Sequence, residues 1–126
     1  MTRIPTHDRD IFEQALYLPM LLTIMERDKQ IFGQIDVKIK EPYLGLIEAS
    51  MKAVQLDLKV ARDYMRNNNM KIAEIKRDED FTMFSFLYKG YDEHHNYFNH
   101  RLRNKCKELL THYLFNHHEM NHKMSK

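Results

Sequence analysis

Cysteine is almost absent from these 126 residues. Cys106 is the single one, so no disulfide can close within the chain, and a reducing compartment, the cytosol, is the expected setting. Glycine and proline are scarce at three each, which excludes collagen-like and low-complexity chains. The glycines, Gly33, Gly45 and Gly90, are scattered and cannot form a phosphate-cradling loop; P-loop, dinucleotide and G-x-S-x-G patterns are all missing. Long apolar runs are missing too. The greasiest stretch, Leu16 to Met25, is broken by Pro19 and Thr23 and followed by Glu26, Arg27 and Asp28. It is about half the length a membrane-spanning helix needs. The start of the chain has no apolar stretch before a small-residue cleavage site, so no signal peptide is expected.

An excess of one charge is also lacking. Twenty Lys and Arg stand against eighteen Asp and Glu, leaving +2. The balance drifts from −1 over residues 1–41 through +1 over 42–91 to +2 over 92–126. Seven of the eight histidines lie in that last segment, so mild acid would make it strongly cationic. What is plentiful is apolar mass, 43% of residues. A chain of this size hides roughly two thirds of its unfolded surface. One domain spanning 1–126 is expected, and stability gives no reason to expect a cofactor.

Periodicity supplies the elements. Ile11, Ala15, Leu18, Leu22 and Met25 recur at steps of three and four, an amphipathic helix over about Asp8 to Phe32. Pro19 lies inside that pattern and predicts a kink or two shorter helices. Ile35, Val37 and Ile39 alternate with polar residues, the pattern of a short strand or extended connector. Leu44, Ile47, Met51, Val54, Leu58, Ala61 and Met65 repeat at alternating steps of three and four, a helix from Tyr43 to about Asn67, with Pro42 at its start and three asparagines at its end. Residues 70–89 read as a β-hairpin around the charged turn at Arg77 to Asp80, although Phe81, Phe84, Tyr88, Tyr91, His95, Phe98 and Leu102 also fit a helix. A last helix is expected from Tyr91 or Asn96 to Phe115, and the His-rich tail 117–126 is expected to fray. The fold class is therefore mainly α: an antiparallel bundle of three long helices, the first kinked at Pro19, with a β-hairpin between the second and third. An all-α four-helix bundle is the alternative.

Chemistry-bearing patterns are few. His118-Glu119-Met120-Asn121-His122 matches the zinc-protease string. It has no third ligand after it and no apolar surroundings to make a dry pocket. A metal-binding helical bundle would need two Glu-x-x-His pairs facing two more carboxylates; Glu119-x-x-His122 is one pair, Asp92-x-x-His95 a poor second, and Glu13, Glu26 and Glu48 can all sit on solvated faces. Cys106 falls on the apolar side of the last helix and reads as a small buried hydrophobe. No catalytic, cofactor or metal residue is assigned. Arg62, Arg66, Lys71, Lys76 and Arg77 cluster at the end of the second helix and the first hairpin strand, the layout of a DNA-binding helix with a basic wing, but Asp63, Asp78, Glu79 and Asp80 interleave with them. Phe84, Phe86, Tyr88, Tyr91, Tyr97 and Phe98 are more rings than one bundle of this size shelters, which points to an interface with a second copy or another protein.

Leu18-Pro19-Met20-Leu21, Pro42-Tyr43, Lys89-Gly90-Tyr91 and the stretch Tyr97 to Lys105 resemble the YhjD-like family of small proteins from Gram-positive spore-forming bacteria. The resemblance covers about Leu16 to Phe115. It implies a bacterial cytosolic protein, and because the family has no assigned activity it carries over no functional residue. The expected function is that of a non-enzymatic cytosolic protein acting through protein contacts as a homodimer. A DNA-binding regulator is the alternative, and a metal-binding bundle comes third.

Overall fold

The computed structural model describes residues 2–116. Helix α1 spans Thr6–Gln34, α2 Glu41–Asn67, and strands β1 Met70–Arg77, β2 Phe81–Tyr88 and β3 Tyr91–Phe98 follow; α3 covers Asn99–Thr111 and ends in a π-helical turn, His112–Asn116. The strands form one antiparallel sheet in the order β1-β2-β3. Both expected fold classes are thereby overturned. The chain is a mixture of helices and a three-stranded sheet, neither a helical bundle with one hairpin nor an all-α bundle.

The third strand makes the difference, and it lies where the last helix was expected to begin. Lys89 and Gly90 form a two-residue turn with φ of 49° and 90°. Positive φ at both central residues is the requirement of the hairpin turn that matches strand twist. That turn brings Tyr91 opposite Tyr88, and pairing then continues to Phe98 opposite Phe81. Asp92, Glu93, His94, His95 and Asn96 have little intrinsic β preference. A ready partner in β2 overrides them.

The other elements follow their patterns closely. α1 runs as one helix through Pro19 and does not split into two. Its C-terminal carbonyls are met locally: Gly33 O accepts from Lys40 Nζ at 2.7 Å. Residues 35–40 form an extended connector that pairs with no strand. α2 ends at the asparagines, where Asn69 takes a φ of 53° and Asn68 Nδ2 donates to Tyr64 O.

Two clusters make the core, joined through Leu109. In one, Ile11, Phe12, Ala15 and Leu16 of α1 pack on Phe84, Phe86 and Tyr88 of β2, closed by Leu102 and Cys106 of α3. In the other, Leu18, Leu21 and Met25 meet Met51, Val54 and Leu58 of α2 with Tyr113. Burying each of the Ile, Leu, Val, Met and Phe side chains among these contributes about 1.5–3 kcal/mol. The sheet lies against the helices by one face only, because β2 alternates strictly between buried and half-buried residues.

Candidate interaction surface

The alternation of β2 decides where the rings go. Phe84, Phe86, Tyr88 and, on β3, Tyr97 face α1 and are buried. Phe86 lies parallel to Phe12 at 4.7 Å and on its other side stacks with His95 at 4.3 Å. Tyr97 meets Tyr17 and Phe84 edge-on. Four of the six rings singled out from the sequence thus complete the chain's own core. Tyr91 and Phe98 remain outside at 52% and 57% exposure. Tyr91 carries the Arg3 guanidinium 4.5 Å over its ring, and Phe98 leans on Phe81 at 4.4 Å.

Two buried or half-buried carboxylates hold the fold together at the same end. Asp8 accepts hydrogen bonds of 2.6 Å from the hydroxyls of Tyr64 and Tyr88. The Tyr64 bond, then that of Tyr88, holds the Asp8 carboxyl below its usual range, and the bond to Asp8 pushes the Tyr88 hydroxyl up to about 12. Glu93 accepts from Thr2 Oγ1 and the Arg3 amide, both at 2.7 Å, and pairs with His95 Nε2 at 3.0 Å. These bonds strap residues 2–4 to β3. At the opposite end Asn99 donates to the carbonyls of Asp78 and Glu79 and accepts from Thr82 Oγ1, fastening α3 to the β1–β2 turn.

The basic set does not form one surface. Arg62 and Arg66 are exposed on α2, with Arg66 paired to Asp63 at 3.2 Å. Lys71 and Lys76 share a register face of β1 with Ala73, across from Leu87 and Met83. Arg77 bonds Glu74 at 2.8 Å and lines an open groove of about 500 Å³ with Met20, Ile24 and Leu102. Cys106 is buried in the floor of that groove, and burial pushes its thiol up. Among the described residues no group of three or more His, Cys, Asp or Glu could hold a metal ion. Asp92 and His95 point to opposite faces of β3, as strand neighbours three apart must. The string His118 to His122 lies outside the described residues.

The surface that sequence reasoning missed is the far face of the sheet. Antiparallel register aligns Lys71, Leu87 and Asp92 in one row, Ala73, Ser85 and His94 in the next, and Lys76, Met83 and Asn96 in a third, with Phe81 and Phe98 beyond them. None of these residues belongs to either core cluster. Phe81, Met83 and Leu87 are only half-buried, and among the described residues no helix lies over them. Asp92 is fixed on this face by the Ser85 hydroxyl and by His94 Nε2 at 3.2 Å. The Ser85 bond, more than any other contact, lowers its pKa, so it stays ionised. The period-two alternation from Phe81 to Tyr88 was the available signal, since it implies a second face as soon as the first is buried.

The family model described as YhjD protein matches residues 3–118. The chain belongs to the YhjD family. A relative in Bacillus subtilis (strain 168), named Uncharacterized protein YhjD, is 45% identical over 106 residues, which cover 84% of this chain and 88% of that protein. No solved structure matches. Among the described residues of this family member, no helix is long and apolar enough to cross a membrane.

Proposed function

We propose that this YhjD family protein is a non-enzymatic cytosolic protein that works by contact with other protein chains and forms a homodimer through the outer face of its sheet. The observation that carries this reading is the row of Phe81, Met83 and Leu87 along the central strand, with no described element over them. A three-stranded sheet ordinarily needs a covered apolar face for stability, and here one face is already satisfied by α1. Apolar residues on the second face then serve a partner. The burial and raised pKa of Cys106 fit a protein without a thiol nucleophile.

Sedimentation equilibrium in the micromolar range tests the reading. A dimer that Met83→Asp converts to a monomer, with the circular dichroism spectrum unchanged, is the expected result. A wild-type monomer throughout that range overturns it.

A further inference from the structure

The charge pattern on the outer face says how a second copy sits there. We propose that the two sheets stack face to face about a two-fold axis parallel to the strands, so that β1 of each copy lies over β3 of the other and Lys71 meets the partner's Asp92. This rests on the homodimer reading above and adds its geometry.

Sheets that pack face to face keep their strands within about 30° of alignment. A two-fold axis lying between them can satisfy that in two ways, along the strands or across them. Along the strands, the central strand covers its own copy and each row covers itself. Leu87 then lies on the partner's Leu87 and Met83 on the partner's Met83, two apolar contacts with Ser85 between them. The ends of the first row are Lys71 and Asp92, and the rotation exchanges them, so both cations meet carboxylates. Lys76 meets the partner's Asn96 by the same exchange. Across the strands, β1 instead covers β1 with its rows reversed. Lys71 then meets the partner's Lys76 twice over, placing a pair of ammonium groups at each end of the β1 edge, and His94 faces the partner's His94. Like charges brought together at an interface cost several kcal/mol. The first arrangement has no such clash.

Asp92 suits the role because its position does not need to be ordered on binding. The Ser85 hydroxyl and His94 already hold it over the face, and its lowered pKa keeps the charge on. Eight residues per strand make a face about 26 Å long. Such a face is at the small end of specific interfaces, so a micromolar dimer is expected.

Charge exchange tests the geometry. Lys71→Glu and Asp92→Lys are each expected to weaken the dimer about tenfold, and the double variant to return to within about threefold of wild type, the signature of a pair in direct contact. The single variants mixed with each other are expected to form heterodimers in preference to homodimers. Carbodiimide coupling of a mixture of unlabelled and nitrogen-15 chains gives a second readout that needs no variant: Lys71 joined to Asp92 between one light and one heavy peptide. If Met83→Asp dissociates the protein but the charge variants leave its affinity unchanged, the outer face is the interface and the proposed axis is wrong. Predominant cross-links between Lys71 and the partner's Lys76 with an amine-reactive reagent also overturn it in favour of the other axis. A wild-type monomer overturns both the axis and the homodimer.

Discussion

The Tyr88 hydroxyl donates to Asp8 Oδ2 at 2.6 Å, joining β2 to the first turn of α1. The Tyr64 hydroxyl donates to the other carboxylate oxygen at the same distance and brings in the end of α2. One carboxylate, 7% exposed, therefore clasps three elements distant in sequence. Asp8→Ala leaves both hydroxyls without that acceptor and is expected to cost roughly 1–3 kcal/mol at neutral pH. Thermal unfolding checks it.

The same clasp sets an acid limit. The Asp8 pKa is lowered in the folded chain from the ordinary aspartate value of 3.8, so the folded state binds this proton less readily than the unfolded one. Its contribution is fully present above the unfolded value and fades as pH falls through 3.8 towards the folded value. Urea titrations of wild type and Asp8→Ala at pH 7 and pH 3 are expected to show a wide gap at the first and a narrower one at the second. A constant gap between the two would contradict this.

Phe86 sits between Phe12 and His95 with no exposure. Truncating it removes both stacking partners and leaves a cavity that the rigid sheet cannot close. Phe86→Ala is expected to lose about 3–5 kcal/mol, and Phe86→Leu, which keeps most of the volume but not the ring, less than that. Chemical denaturation of the two variants side by side measures the difference.

Gly90, with φ of 90°, has open space where a Cβ would go. The cost of Gly90→Ala is therefore purely conformational, about 1–2 kcal/mol for an L residue in left-handed backbone. Gly33 is helical with equally open surroundings, and Gly33→Ala is expected to be neutral or stabilising. Melting curves of both variants separate turn geometry from crowding.

Cys106 is 4% exposed and its thiol is pushed up by burial. Alkylation at mild alkaline pH is expected to be slow in the folded protein and fast in denaturant. Equal rates in the two states, read by intact mass, would refute the buried position.

The helices were legible because their evidence is local. The stripe from Leu44 to Met65 predicts α2 almost to its ends, and the asparagines supply the left-handed residue that terminates it. Pro19 was legible as an irregularity but not as an intact helix, because the packing of Leu18 and Leu21 on α2 holds α1 together. β3 was not legible. Phe81, Phe84, Tyr88, Tyr91 and His95 sit at helical spacing although the aromatics among them favour strands, and a positive φ at Lys89 is nothing its side chain favours.

The candidate surface divides the same way. The sequence by itself determined that the second half of the chain is rich in rings, and that its cations and anions nearly balance. Only the tertiary structure decided which rings are spent inside, because the register of β2 against β3 assigns every second residue to α1 and the rest to the open face. A strand's side chains alternate by covalent geometry, which is local. Which of the two faces meets the core depends on partners far along the chain, and no window of residues around Phe84 or Asp92 contains them.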